Sequence, residues 1–335
     1  MRRSGPSSRW AGGGRRAVTD ASAHQPVFGA GCVGALCVLA SGSKGNCSVL
    51  VVPATRETAR RVILIDAGLS PSRTRLMLHQ RGIRPDEVDE IVFTHLDSDH
   101  CHQGWINALR PGSVTGAWRA TLRVHRMHMG RARRMGLLYA RTDPFEDVFS
   151  PAPGVEMRSL MLAHDDLGVA VFRCRIELPD RAVGELGFAT DLGHVNPGLI
   201  EHLRGVDTLA IESNYCPVLQ ENSGRPVFLQ RRIMGGAGHL SNEQSAMAVS
   251  RIAPRRNLVL LHLSQECNEP AIAMGHHRRF IEDGERRCVV SSQFEPTAWI
   301  EIVGGGSVPR AVTTREKQMG LFARPKRSGD CARGV

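Results

Sequence analysis

A short polar segment at residues 95–100 restricts the fold of this 335-residue chain more than any other feature. It follows the apolar residues 91–93 and holds four potential metal ligands: His95, Asp97, Asp99 and His100. In an extended loop the side chains at 95 and 97 point the same way, and those at 99 and 100 follow after the chain bends. Imidazole and carboxylate groups together suit zinc, manganese and iron. The pattern predicts a strand that ends in a metal-binding loop; the alternative is a polar loop in which Asp99 caps a helix.

The rest of the chain alternates short β-type runs with helical segments. The predicted strands are residues 35–40, 48–52, 62–66, 90–94, 121–125, 155–163, 169–177, 185–190, 208–212, 258–262, 288–291 and 298–303. The predicted helices are residues 72–81, 99–109, 226–234, 242–252 and 270–283. Ser241 and Gln244 form a capping-box pattern at the start of the fourth helix. This alternation is typical of stacked sheets covered by helices, although the pattern alone does not select a topology.

The composition is that of a globular protein without a membrane span. Hydrophobic residues make up 41% of the chain, and no apolar run reaches the roughly 18 residues that a spanning helix needs. The nine cysteines are spread singly without a Cys-x-x-Cys pair, so they do not form a disulfide framework. No signal-peptide pattern is visible near the start. We therefore expect a cytoplasmic protein with no membrane partner.

The net charge of +10 is concentrated at the two ends of the chain. Residues 1–33 carry five arginines against one aspartate, and residues 306–335 carry seven lysines or arginines against two acids. Neither segment has apolar periodicity, so we predict two disordered basic tails around one domain at residues 34–305. A basic tail either attracts nucleic acid or is a solvated end, and both interpretations stay open.

Six arginines also cluster within the domain. They are Arg119, Arg123, Arg126, Arg131, Arg133 and Arg134. No acidic residue lies between Arg110 and Arg141. The cluster indicates a polyanionic partner, or equally a solvated helix face.

Motifs along residues 34–303 follow the order found in one branch of the metallo-β-lactamase superfamily. Besides the loop at 95–100, the matching segments are residues 39–47, 64–70, 163–165, 189–193, 212–214, 238–242 and 261–264. The chain resembles the WalJ-like (YycJ-like) branch of that superfamily. The resemblance implies an α/β (α+β) fold, a four-layer αββα sandwich, and a metal-dependent hydrolase.

The resemblance also implies two adjacent sites for divalent metal ions, zinc or manganese, with iron as an alternative. The implied ligands of the first site are His95, Asp97 and His164. The implied ligands of the second site are Asp99, His100 and His262, and Asp191 would bridge both ions.

Position 97 departs from the family pattern, which normally has histidine there. An aspartate reaches less far than an imidazole and adds a negative charge. Three outcomes stay open. Asp97 still binds the first metal, which then favours manganese or iron; a water fills the position; or the first site is weak and the enzyme is mononuclear.

The implied reaction is hydrolysis by a metal-bound hydroxide, because a bound metal ion brings the pKa of its water to roughly 7. Asp99 and His239 are the catalytic candidates. His239 is a proton donor to the leaving group or a phosphate ligand; the alternative is a loop histidine beside the helix cap at Ser241. Residues that either support the metal ligands or form turns are Ser43, Asn46 and Asn214.

Three functions stay open at this point. The first is a phosphodiesterase that acts on nucleic acid, most simply a DNA exonuclease-like enzyme. The second is a small-molecule hydrolase of the same fold that cleaves a phosphodiester, ester or lactone. The third is a non-catalytic binding protein whose first metal site is degraded at Asp97. Fold alone does not choose among them.

Overall fold

The structure is a computed structural model that describes residues 25–29, 31–110, 112–113, 118–164, 166–179, 181, 183–236, 238–281 and 286–305. Most of the two predicted tails, residues 1–24 and 306–335, lies outside the described residues. Within the described ranges the chain forms fourteen strands, arranged as two sheets, and nine α-helices.

The first sheet has seven strands and is antiparallel in one half and parallel in the other. Its strands are β1 (Cys32–Ala40), β2 (Cys47–Val52), β3 (Arg61–Ile65), β4 (Glu90–Val92), β5 (Thr121–His125), β6 (Thr142–Phe145) and β14 (Ile300–Val303). They lie in the order β14-β1-β2-β3-β4-β5-β6. The strands from β3 to β6 run parallel, so their carboxyl ends meet at one edge.

The second sheet also has seven strands. They are β7 (Val148–Ala152), β8 (Val155–Leu162), β9 (Val169–Ile176), β10 (Gly184–Ala189), β11 (Thr208–Glu212), β12 (Asn257–Leu261) and β13 (Arg287–Val290). They lie in the order β13-β12-β11-β10-β9-β8-β7. Strands β10 to β13 run parallel, and β8 shares their direction because β9 is antiparallel to both neighbours.

Short helices follow the parallel strands. They are α1 (Pro71–His79), α2 (Gly104–Ala108), α3 (Met129–Met135), α4 (Pro197–Leu203), α5 (Pro217–Glu221), α6 (Val227–Met234), α7 (Asn242–Ile252), α8 (Pro270–His276) and α9 (Arg278–Ile281). The longest helix of the described residues, α7, has 11 residues. None of the described helices has the length and apolarity that crossing a bilayer requires.

Three clusters of buried hydrophobic residues fill the spaces between the layers of the fold. One lies between the two sheets and includes Leu36, Ile63 and Phe172. The second packs the outer face of the first sheet against α1 to α3, with Trp105 fully buried. The third packs the outer face of the second sheet against α4, α7 and α8, and includes Leu203. Helices therefore cover both outer faces of two stacked sheets, which confirms the predicted αββα sandwich.

The domain begins earlier in the chain than predicted. Strand β1 starts at Cys32, so residues 32 and 33 belong to the sheet and not to a disordered segment. Cys32 pairs with Val303 of β14, and Val33 lies fully buried in the core between the sheets. The prediction was wrong at these two residues because the surrounding glycines concealed the start of the strand, where Cys32 pairs with β14.

The helix after the polar segment also begins later than predicted. Residues 98–100 form a turn, and α2 starts only at Gly104. Cys101 forms a β-bridge with Ala67. The backbone nitrogen of Ala67 donates to the His100 carbonyl, and the backbone nitrogen of His102 donates to the Ala67 carbonyl. This tie to the chain after β3 holds the backbone extended, so the helix cannot start at position 99 or 100.

Strands β6 and β7 were not predicted. Both lie at the edge of a sheet and contain proline, Pro144 in β6 and Pro151 in β7. Proline lacks the N–H that a central strand needs, so it is accepted at a sheet edge but weakens the β pattern in the sequence.

Candidate metal centre

The predicted metal ligands converge at the edge where the parallel strands of both sheets end. The segment 95–100 follows β4, and His164 follows β8. Asp191 follows β10, and His262 follows β12. A hydrogen bond from the His262 backbone nitrogen to Ser41 Oγ, 2.8 Å long, joins this edge of the second sheet to the first. Rigid strand ends thus aim side chains from distant parts of the sequence into one volume.

One group of ligand atoms comes from His95, His164 and Asp191, which lie within 4.8 Å of one another. His95 Nε2 lies 3.8 Å from Asp191 Oδ2. Ligands that each lie about 2.0–2.1 Å from a zinc ion are roughly 3.4 Å apart in a tetrahedral site. The spacing of these atoms therefore fits a shared metal ion.

A second group comes from Asp99, His100 and His262. Asp99 Oδ2 lies 3.8 Å from His100 Nε2 and 3.6 Å from His262 Nε2. Asp191 lies between the two groups, with Oδ2 2.5 Å from His100 Nε2 and Oδ1 3.1 Å from His262 Nδ1. Six of the seven predicted ligands are thus brought together, in an arrangement with Asp191 at the centre.

Asp97 is the predicted ligand that stands apart. Its Oδ1 lies 2.6 Å from Nη1 of Arg131 in α3, and its Oδ2 lies 3.9 Å from His95 Nε2. Its side chain is 33% exposed, whereas that of His95 is 1% exposed. Asp97 belongs to none of the ligand groups found among the described residues.

The polar atoms of the site fit a divalent cation. Among the described residues, His164 Nδ1 and His262 Nε2 are buried without a hydrogen-bond partner, and the buried oxygens of Asp191 face imidazole nitrogens of His100 and His262. A buried polar atom without a partner is costly, and a metal ion between these groups would satisfy it. Their donor set of imidazole nitrogen and carboxylate oxygen is one that zinc and manganese accept.

The electrostatics of the centre also favour a cation. Burial lowers the pKa of a histidine, but the Asp191 and Asp66 carboxylates outweigh burial and hold the pKa of His100 well above its ordinary value. At His262 burial is likewise outweighed, chiefly by Asp191, and the pKa is raised to about 9. The carboxylates therefore attract protons onto the imidazoles, in positions that a metal ion would take over.

Two residues that were not predicted to be functional orient the predicted ligands. Asp66, at the end of β3, accepts from His100 Nδ1 at 2.7 Å and from the Thr94 hydroxyl. Thr94 Oγ1 in turn lies 3.0 Å from His95 Nδ1. Both imidazoles thereby direct Nε2 toward the centre, and such supporting bonds fix ring orientation in metal sites. Asp66 lies within the motif at 64–70, so that motif was the available signal.

Asn46 and Asn214, predicted either to support ligands or to form turns, also contact them. The side-chain amide of Asn46 lies 2.9 Å from His100 Nε2, and that of Asn214 donates to the His262 carbonyl at 2.6 Å. Ser43 is instead an exposed residue of the turn between β1 and β2.

The backbone is strained at the centre. Asp66, Asp191 and His262 have φ of 62°, 52° and 56°, in the left-handed region that non-glycine residues rarely adopt. Asp66 and His262 follow directly after a strand, and Asp191 follows β10 by one further residue. Such strain persists only where the surrounding structure imposes it, and it is common at functional sites.

His239 and Glu212 form a hydrogen-bonded pair beside the ligands. His239 Nδ1 donates to Glu212 Oε1 at 2.7 Å, and Glu212 is fully buried. Despite burial, Glu212 raises the pKa of His239 to about 10. Each residue of this pair contributes one potential ligand atom to a group with Asp191 and His262. The four atoms all lie within 4.8 Å of one another. The pair therefore borders the metal centre directly.

The Glu212 carboxylate is held in place from two further sides. The backbone nitrogens of Leu192 and Leu240 donate to its Oε2 at 2.8 Å and 3.3 Å. Sequence reasoning assigned no role to Glu212, whose only signal was its position in the motif at 212–214.

The arginine cluster divides into paired and exposed members. Arg123 pairs with Glu90 and Arg126 with Glu146, although these acids lie outside the cluster in sequence. Arg133 and Arg134 project from α3 and are exposed.

A cavity of about 470 Å³ lies on this side of the centre. Its lining residues are Arg131, Arg134, Met135, Asp166 and Leu167. Because Arg131 contacts Asp97, the cavity adjoins the metal loop. Arg134 thus presents positive charge beside this cavity, whereas Arg123, Arg126 and Arg131 are each paired with an acidic residue.

Comparison with known proteins agrees with this geometry. A family model described as "Beta-lactamase superfamily domain" matches residues 61–263. The chain is 28% identical over 243 residues to an exodeoxyribonuclease WalJ of Streptococcus pneumoniae, covering 70% of this chain and 84% of that protein. It is 25% identical over 251 residues to an exodeoxyribonuclease YycJ of Bacillus anthracis, covering 73% and 88%.

Solved structures are similar in fold. The crystal structure of a diphosphatase from the PhnP family superposes with a TM-score of 0.54 at 15% identity, covering 81% of this chain and 98% of that one. At this identity the similarity extends to the fold alone.

Proposed function

The chain belongs to the β-lactamase superfamily, and we propose that it is a metal-dependent phosphodiesterase that removes nucleotides from the ends of DNA. The convergence of six predicted ligand side chains, with Asp191 at their centre, supports hydrolysis, and the names of the two bacterial relatives support DNA as the substrate. The metal ions are zinc or manganese, with iron as a further candidate, because all three accept imidazole and carboxylate. We expect the cytoplasm as its location, where DNA is present and the eight described cysteines stay as free thiols.

Metal ions bound by this centre would supply a hydroxide at neutral pH and neutralise the phosphate oxygens. The Asp99 side chain is 27% exposed, whereas those of His95, His100 and Asp191 are at most 2% exposed. Asp99 is thus a ligand that also faces the solvent side, where it can orient an attacking water.

We propose that His239 gives a proton to the leaving oxygen. Its Nδ1 proton is committed to Glu212, so Nε2 is the nitrogen that remains for a substrate. Its side chain is 24% exposed, in contrast to the buried Glu212. A protonated imidazole held in this way can act as a general acid.

Replacing His239 with Gln is expected to lower kcat about 100-fold, because general acid catalysis contributes at least this factor. The metal content and KM should change little. Steady-state kinetics and elemental analysis of the purified variant check both statements. Glu212→Gln should weaken the same step through a misoriented imidazole. If His239→Gln instead loses metal, His239 is a ligand and not the proton donor.

The exposed arginines of α3 are expected to hold the DNA backbone. Changing Arg133 and Arg134 together to Gln should weaken DNA binding and reduce the slope of log K against log salt by about one for each phosphate that the variant no longer binds. Fluorescence anisotropy at several salt concentrations measures the slope. Arg251→Gln is the matched control, since it removes an exposed arginine from the far end of α7. Equal slopes in both variants would contradict this role of α3.

A nuclease assay tests the proposed function. The protein, loaded with zinc or manganese, is incubated with single- and double-stranded DNA labelled at either end. We expect shortening from one end, and complete loss of it with a chelator. Intact DNA together with turnover of a chromogenic phosphodiester or ester would favour a small-molecule hydrolase. No turnover and fewer than about one metal per chain would favour a binding protein.

A further inference from the structure

The two metal sites are built unequally, and Asp97 is the reason. The second site has a carboxylate of its own, Asp99, besides the shared Asp191. The first site has only His95 and His164 besides Asp191 among the described residues. The carboxylate that would complete the first site is the one that Arg131 holds.

The contact between Arg131 and Asp97 competes with metal binding for the same carboxylate. Asp97 Oδ1 is taken by the guanidinium at 2.6 Å, and Oδ2 remains 3.9 Å from the ligand nitrogen of His95. Asp97 therefore lies within a small movement of the first site, but it does not join the ligand group formed by His95, His164 and Asp191. The side chains of both partners are about one-third exposed, at 33% and 30%, and ion pairs of that exposure are weak enough to exchange.

The position of Arg131 is fixed by its helix. Its neighbour Ala132 is fully buried in the core on the outer face of the first sheet. Helix α3 ends at Gly136, which has φ of 82° and closes the helix in the left-handed conformation that glycine favours. The guanidinium thus reaches Asp97 from an anchored backbone.

We propose that Arg131 is a positioning residue that withholds Asp97 from the first metal site, so that this site binds its ion more weakly than the second and loads last. The inference rests on the proposed metal centre but not on the identity of the substrate. Releasing Asp97 from Arg131 would add an oxygen ligand to a site of two imidazoles and one shared carboxylate. Added carboxylate favours manganese relative to zinc.

Metal titration of the chelator-treated protein tests the proposal through a double-mutant cycle. The proteins are wild type, Arg131→Gln, Asp97→Asn and the double variant, each titrated with Zn²⁺ and Mn²⁺ by calorimetry. Arg131→Gln should raise the affinity of the weaker site about tenfold, within the range seen when groups behind metal ligands are altered. Asp97→Asn alone should lower the affinity only slightly, through its charge, because Arg131 holds Asp97 and it is not a ligand in wild type.

The double variant separates ligation from charge. Removing a cation near the site raises metal affinity by itself, whether or not Asp97 moves. If Asp97 ligates once Arg131 is gone, Asp97→Asn lowers the affinity of the weaker site about tenfold in the Arg131→Gln background and much less in the wild-type background. If Asp97→Asn has the same effect in both backgrounds, the two substitutions act through charge alone and the proposal is overturned. A tenfold loss in Asp97→Asn alone also overturns it, since Asp97 would then already be a ligand.

Arg251→Gln is the control, because it removes an exposed arginine from α7, which supplies none of the predicted ligands, and it should leave the weaker site unchanged. Thermal unfolding of each metal-free variant verifies that the fold is retained. The titration does not depend on catalysis. If the four proteins show the expected affinities but the protein leaves DNA intact, the proposed nuclease function is wrong and the proposed role of Arg131 is still supported.

Discussion

Replacing Asp191 with Asn is expected to lower kcat/KM at least about 1000-fold, which corresponds to roughly 4 kcal/mol of lost transition-state stabilisation. The carboxylate has its two oxygens 2.5 Å from His100 and 3.1 Å from His262, and lies 3.8 Å from His95. It therefore lies against ligands of both groups. An amide of the same shape lacks the negative charge and cannot bridge two cations.

The measurement is elemental analysis together with DNA cleavage, on protein dialysed against metal-free buffer. We expect at most one metal per chain in Asp191→Asn. Asp86→Asn is the matched control, since it changes an exposed aspartate paired with Arg84 and should retain both metal content and activity. If Asp191→Asn keeps full metal content and more than about a tenth of the activity, Asp191 does not hold the centre together.

The second large effect is expected from Gly68→Ala, which should lower the free energy of unfolding by about 3 kcal/mol, the upper end for overpacking. A Cβ atom at position 68 would lie 1.7 Å from the Asp99 carbonyl oxygen and 2.7 Å from the Asn46 backbone nitrogen. Both are backbone atoms, joined to each other by a hydrogen bond of 2.7 Å. Neither can turn aside, so the chain that carries Asp99 has to move.

Thermal unfolding and metal titration measure the two consequences. We expect the melting temperature to fall by roughly 6–10 °C and the affinity of the second metal site to fall with it, because Asp99 is displaced. Gly275→Ala is the matched control: no atom lies within 4 Å of its Cβ position in α8, and alanine there should stabilise the helix by about 0.5–1 kcal/mol. A melting temperature within about 2 °C of wild type would show that the close approach at Gly68 is not a constraint.

Local sequence signals predicted much of the fold. Helix α7 has the predicted bounds, and the capping box forms as expected: Ser241 Oγ accepts from the Gln244 backbone while the Gln244 side chain accepts from the Ser241 backbone. Strands β5 and β11 also match. Elements were missed where local propensity is weak, as in the proline-containing edge strands β6 and β7. Their pairing depends on neighbours distant in sequence.

The metal-binding loop at residues 95–100 shows most clearly what the sequence determined and what only the tertiary structure decided. The order of residue types after β4 determined that His95, Asp99 and His100 lie together at a strand end, because those positions are fixed by a few residues of backbone. The sequence left the role of Asp97 open among three outcomes. The tertiary structure pairs Asp97 with Arg131, in a helix whose place over the loop depends on the packing of the first sheet.

Glu212 and Asp66 show the same contrast between what the sequence and the tertiary structure determine. Each is an acidic residue at the end of a buried strand, and nothing local distinguishes it from a turn residue. Glu212 contacts His239, and Asp66 contacts His100. These partners come close only when the strands lie in register at one edge of the sheets. Sequence by itself determined which residue types end the strands. Only the tertiary structure decided which of them touch, because hydrogen bonds and ion pairs depend on distances of a few ångströms that strand order and helix packing set.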